Sequence, residues 1–209
     1  MSKEVKPDFE VALYNETRPY DKIIEEVFSN DVSSTYILQS RKELRMIADE
    51  NTYHFLKEVV MPQNFRHVAK ITECFMINIP SGYTRNYTFC IVSEPLNRGL
   101  INERTKQSGI NYFYDVWAEY LHCRASDVYG RVDEAYFSKD SVGEEFILRS
   151  IEASDKSVEE KKVAIALNGA FRDVMSLGPA IIWPSPLNIG VADDGVVKIT
   201  HIGINGYYV

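Results

Sequence analysis

Apolar residues recur along this chain in two rhythms, and the changes of rhythm divide it into segments. Ile23, Ile24, Val27 and Phe28 fall at helical spacing, so the pattern predicts a short amphipathic helix over Tyr20 to Phe28, ended by Ser29-Asn30-Asp31. Ser34 to Leu38 and Glu43 to Ala48 are short apolar and β-branched runs separated by Gln39 to Lys42, which predicts a hairpin. Phe55, Leu56, Val59 and Val60 form a stripe over Thr52 to Met61, with Asp49 or Asn51 placed to cap the helix and Pro62 to end it. Val68 to Ile79 alternates imperfectly, and YTFCIVS, Tyr87 to Ser93, has the length and composition of a buried strand.

Beyond Asn111 the helical rhythm dominates. Tyr112, Val116, Tyr120 and Leu121 share one face, which Tyr114 and Trp117 widen. Val158 to Leu177 carries the strongest helical signal: Ser157 and Glu160 form a capping box, Val163, Leu167, Ala170, Phe171 and Val174 line one side, and Gly178-Pro179 stops the helix. Asp133 to Asp155 reads as a helix or a long ordered loop, and two short strands flank Asp193-Asp194-Gly195, a sound hairpin turn. The expected class is α+β: a small antiparallel sheet plus one helix, then a mainly helical part with a C-terminal β-hairpin. The boundary falls at residue 97, with 1–97 and 98–209 as parts of one compact unit and Met1 to Pro7 expected as a mobile tail.

Composition narrows the function classes. The 209 residues are 45% hydrophobic, enough for a full core, and 23 Lys and Arg against 30 Asp and Glu give a net charge of -7, which opposes binding to nucleic acid phosphates. Cys74, Cys90 and Cys123 are widely spaced and lack a CxxC or Cys/His pattern, so reduced thiols in a cytoplasmic setting are expected, with no metal site. No leader-like apolar region opens the chain, and no run approaches the roughly 18 apolar residues of a membrane span.

Other constellations read more simply. His122, Cys123 and Asp127 lie close in sequence, but neighbours on a helix point about 100° apart, which opposes a nucleophilic site. Asp193 and Asp194 fill a turn, and His54 and His67 are too far apart for a helical metal motif. Tyr14, Tyr20, Tyr83, Tyr207 and Tyr208 fall in polar stretches, as do residues of a protein-binding surface, and the apolar end NGYYV is expected to dock on the body or on a partner.

The order of these elements, with a buried strand leading to a polar crossover and an Asn-bearing loop before a tight hairpin, resembles the protein-kinase-like fold with its two lobes. The likeness runs from roughly Asp31 to Gly203 and is nearest in pattern to short phage-encoded serine/threonine kinases. By this resemblance Arg45, in LRMI, stands where a kinase carries its phosphate-gripping Lys, and Glu58 stands where a helix carboxylate pairs with that cation. FCIVSEPL resembles the strand entering the adenine-contacting hinge, with Glu94 and Leu96 supplying backbone there. The glycine-rich loop has no counterpart, since SNDVSSTYIL contains no Gly. Counting back from Asn188 puts Trp183 at the catalytic Asp, and ITHIG puts His201 at the metal-binding Asp.

Losing the loop, the Lys, the base and the metal acid together opposes magnesium-dependent phosphoryl transfer, which is almost entirely positioning and charge stabilisation. What the resemblance implies is a catalytically inactive, pseudokinase-like protein. It binds another protein and modulates its activity, as a phage-encoded effector or inhibitor of a host enzyme in the host cytoplasm would. No cofactor and no catalytic residue are expected, and a homodimer is compatible with this reading. The alternative is an active atypical phosphotransferase or nucleotide-binding enzyme using ATP and Mg²⁺, with Arg45, Glu58, Glu94, Leu96 and Asn188 around the nucleotide and Arg45, Asn188 and His201 at the phosphates. A second alternative is an α+β scaffold or interaction protein unrelated to kinases.

Overall fold

A computed structural model describes residues 7–29, 33–80, 87–137, 141–178, 180–182 and 184–204. The described residues form a mixed α+β structure with one five-stranded antiparallel sheet and six α-helices. The chain divides into two compact units, Met1–Pro62 with Lys70–Leu96, and Gln63–Ala69 with Asn97–Val209.

In the first unit, β1 (Ile23–Ser29), β2 (Ser33–Leu38), β3 (Glu43–Ile47), β4 (Ile71–Asn78) and β5 (Tyr87–Ser93) lie in the order β1-β2-β3-β5-β4. The hairpin expected over Ser34 to Ala48 is β2 and β3, with Tyr36 opposite Leu44. The helix expected over Tyr20 to Phe28 is instead edge strand β1. Its register on β2 shifts between Ile23 and Glu25 and again between Glu26 and Phe28, and two such irregularities break the period of two and leave a helix-like spacing of apolar residues. The helix near the N-terminus is α1 (Pro7–Thr17), upstream of the expected segment.

Period-two alternation gives the sheet two distinct faces. On one, Tyr36, Leu38, Leu44, Met46, Ile77, Cys90 and Val92 pack with Tyr14 of α1. Tyr14, expected at a surface, is therefore core. Glu10 of α1 accepts a hydrogen bond from the Thr88 hydroxyl at 2.8 Å, and Arg18 just beyond the helix pairs with Glu73 at 3.0 Å, so polar groups fix the helix as well. The opposite face carries Phe89, on which Tyr53 of α2 (Glu50–Phe55) stacks with ring centroids 4.5 Å apart. Asp49 caps α2 by accepting the amides of Asn51 and Thr52, and the helix continues as a π-helical turn, Leu56–Val60.

In the second unit, α3 (Glu103–Tyr120), α4 (Val128–Phe137), α5 (Ser141–Ala153) and α6 (Val158–Met175) surround a core in which α6 is central: Val163, Ala164, Leu167, Ala170, Phe171 and Val174 are buried. Both halves of the expected capping box are present at Ser157 and Glu160, an arrangement of about 1 kcal/mol. α3 starts well before the Asn111 predicted from its apolar face, because Asn102 caps it by accepting the Thr105 amide at 2.9 Å. Its polar first turns hold Gly109, where a Cβ would meet the Glu160 carbonyl oxygen at 2.8 Å, so the glycine permits close approach of α3 to α6. The Trp117 indole donates to the Tyr136 hydroxyl at 3.2 Å, and that hydroxyl donates to the Asn168 side-chain oxygen, threading a polar chain through an aromatic core.

The unit ends in two small antiparallel sheets, β6 (Ala180–Ile182) with β9 (Ile202–Ile204) and β7 (Ile189–Val191) with β8 (Val197–Ile199). Gly195, with φ +80, makes the Asp-Asp-Gly turn between β7 and β8. The segment expected as a strand from Val68 divides here: Val68 bridges Ile199 in parallel within this unit, whereas β4 begins at Ile71. His67 in the same segment bonds the Val197 carbonyl through Nδ1 at 3.1 Å and lies against Gly169, and burial holds its basicity below the usual histidine range.

Candidate functional site

Of the residues singled out in the sequence, Asn188 and His201 are brought together, and Thr200 joins them. Ser185 starts the 3-10 turn Pro186–Asn188, its hydroxyl accepting the Leu187 amide at 3.4 Å, and this turn places Asn188 just before β7. The β7–β8 hairpin then returns the chain beside it. The Thr200 amide donates to the Asn188 carbonyl at 2.9 Å and the Thr200 hydroxyl donates to the same oxygen at 3.3 Å. That hydroxyl also shares a hydrogen bond with His201 Nδ1 at 3.2 Å, and both Asn188 and His201 are buried.

Two cations border this cluster. The Arg98 guanidinium approaches the Thr200 hydroxyl at 3.4 Å, a long contact. Lys106, from the first turn of α3 and almost completely buried, donates from Nζ to the Arg98 carbonyl at 2.7 Å. Neighbouring Asn97 exchanges two backbone bonds with Val191 of β7, at 2.8 and 3.0 Å, which fixes this segment against the hairpin. The result is a polar nest rich in donors and cations. Donors and cations suit an anion or a backbone carbonyl; a hard divalent cation needs carboxylate oxygens. Among the described residues no three His, Cys, Asp or Glu side chains are grouped to hold a metal ion.

The remaining predicted positions lie in the sheet unit or outside the described residues. Arg45 is buried on β3, opposite Thr35 of β2 and Ile91 of β5, and burial pulls its guanidinium down to about 10, which leaves it charged at neutral pH. Glu58 lies on the π-helical turn with its side chain 66% exposed, and its carboxylate pairs with His54 at 3.0 Å. The Arg45–Glu58 pair that the resemblance implies is thus replaced, because Glu58 sits one turn from His54 on an exposed helix face. The Glu94 carboxylate accepts the Lys70 amide at 2.6 Å and its own amide donates to the Lys70 carbonyl at 2.9 Å, while Leu96 is buried. Trp183 lies outside the described residues, as do Tyr83 and the terminal NGYYV.

His122, Cys123 and Asp127 form no catalytic arrangement. His122 takes a left-handed conformation, φ +49, just past the end of α3, and Asp127 accepts the Ser126 hydroxyl. Asp194 accepts the Val196 amide at 3.0 Å and serves its turn. Sequence reasoning missed Thr200, Arg98 and Lys106. Lys106 stands out only once α3 is seen to begin at Glu103, since the dipole at a helix's first turn disfavours a cation.

No protein-family model matches the chain, and a search of curated proteins finds no match either.

Proposed function

We propose that this protein is a kinase-like chain without phosphoryl-transfer chemistry, which acts by binding another protein and altering its activity. One observation carries the reading: Asn188 and His201 meet through Thr200, with an imidazole and two flanking cations where magnesium-dependent transfer needs an acid. The joining of the Asn-bearing turn to the ITHIG segment supports the kinase-like likeness, since in that family both segments serve one metal site. The donor set supports inactivity, because imidazole, ammonium and guanidinium groups offer no hard oxygen to Mg²⁺. Protein binding draws support from exposed apolar side chains such as Tyr20, Ile24 and Tyr129, and the phage setting rests on the resemblance alone.

Thermal unfolding with increasing ATP and Mg²⁺ tests the inert half, since a ligand bound only by the native state raises apparent stability. No shift is expected. A saturable rise that disappears in Asn188→Ala would favour the atypical enzyme instead. For the effector half, a stoichiometric partner recovered from cells must change its own activity when titrated with purified chain; a partner unaffected at saturation would sink it.

A further inference from the structure

Asp133 is a carboxylate held in unusual company. It sits half-buried on α4, and the chain supplies it with no ion pair or hydrogen bond among the described residues. Burial alone raises its pKa, to about 6. One turn earlier on the same helix is Tyr129, more than half exposed, and its ring lies 4.2 Å from that of Tyr114 on α3. Burial chiefly, and after it the nearby Asp133 carboxylate, make the buried Tyr114 hydroxyl harder to ionise, so the acid lies near the paired Tyr114 and Tyr129 rings. The nearest basic residue in sequence, Arg131, reaches away to the Leu121 carbonyl at 3.4 Å. A partly desolvated, unpaired carboxylate beside an exposed tyrosine face costs stability in the free protein, and a cation placed there would relieve that cost.

We propose that Asp133, Tyr129 and Tyr114 form a receptor for one arginine side chain of a protein partner. The guanidinium stacks on the exposed Tyr129 ring and donates in parallel to both Asp133 oxygens, a geometry that suits a planar fork better than a point charge. The net charge of -7 favours approach of a basic segment. This assignment rests on the protein-binding reading only for the source of the arginine, and the pocket itself is testable on the isolated chain.

N-acetyl-argininamide is the probe, followed by NMR at about pH 7.5, with the neutral isostere N-acetyl-citrullinamide alongside. Saturable shifts at Tyr129 and around Asp133 are expected for the arginine compound only. Affinity should fall about tenfold at about pH 5, where Asp133 is mostly protonated, and at least as much in Asp133→Asn. Equal shifts from both compounds, or unchanged binding in Asp133→Asn, would overturn the proposal. Asp133→Asn should also keep or raise the wild-type Tm at neutral pH, because it removes a charge from a half-buried site. A lower Tm would reveal a structural partner for the carboxylate and defeat the assignment. A failed probe titration leaves the effector reading intact, whereas a bound probe with no partner in cells leaves the pocket intact.

Discussion

The two units bury polar groups in opposite ways. In the sheet unit, alternation sorts most of them: one face of β2, β3 and β5 is an apolar cluster under α1, crossed by the Thr88–Glu10 hydrogen bond, and Thr35, Glu43 and Arg45 collect on the other. In the helical unit no such sorting is available, because α6 is surrounded, and polar atoms enter the core as a chain from Trp117 through Tyr136 to Asn168. Period two permits segregation; period 3.6 on a central helix forces satisfaction in place. The Tyr136 hydroxyl of the helical unit should therefore be valuable and the Thr35 hydroxyl of the sheet dispensable.

The largest test is Trp117→Ala, which removes a fully buried ring and the first donor of the chain. We expect a loss of about 3–5 kcal/mol in denaturant unfolding. A loss below about 1 kcal/mol would mean that the aromatic core re-forms without it. Tyr136→Phe removes only the hydroxyl and strands the Trp117 donor and the Asn168 acceptor, so it should cost about 1–3 kcal/mol. Thr35→Val makes a similar deletion in the sheet unit, where the Thr35 hydroxyl is buried with no hydrogen-bond partner among the described residues. There the expected change is neutral or stabilising by up to about 1 kcal/mol. Equal losses from Tyr136→Phe and Thr35→Val would erase the distinction between the units.

The smallest effect is set by pH at the start of α6. Glu160 is bonded by the Ser108 and Ser157 hydroxyls and the Ser157 amide, which hold its pKa at about 2, against an ordinary value of 4.5. A depressed acid contributes its stability above the unfolded pKa and loses it as pH falls through the folded one. Wild-type Tm should therefore fall between pH 4.5 and about 2 more steeply than that of Glu160→Gln. Parallel slopes would remove Glu160 from the account.

Legibility in the sequence followed the same division. The β2–β3 hairpin, β5 and the capped α6 are legible because their periodicity is unbroken and their ends carry recognisable caps or turns. β1 is misread because its register shifts turn alternation into a helix-like spacing, and the early turns of α3 are missed because Gly109 and polar neighbours hide a face that packs on α6. At the candidate site, Asn188 and His201 could be named from their segments alone. Thr200, Arg98 and Lys106 could not, since what assembles them is backbone hydrogen bonding between segments far apart in sequence, Asn97 with Val191 and Thr200 with Asn188. Arg45 and Glu58 are kept apart by a local event instead, an i to i+4 partner for the acid on an exposed helix face.

The central claim is that the Asn188–Thr200–His201 cluster is architecture, with hydrogen bonds joining its two segments, and not a site awaiting nucleotide. Amide hydrogen exchange over residues 186–204, with and without saturating ATP and Mg²⁺, tests it directly. The account predicts slow exchange at Thr200, whose amide is held by the Asn188 carbonyl, and superimposable profiles in the two conditions. Fast exchange at Thr200 in the free protein, or protection at Thr200 and His201 that rises with nucleotide, would contradict it.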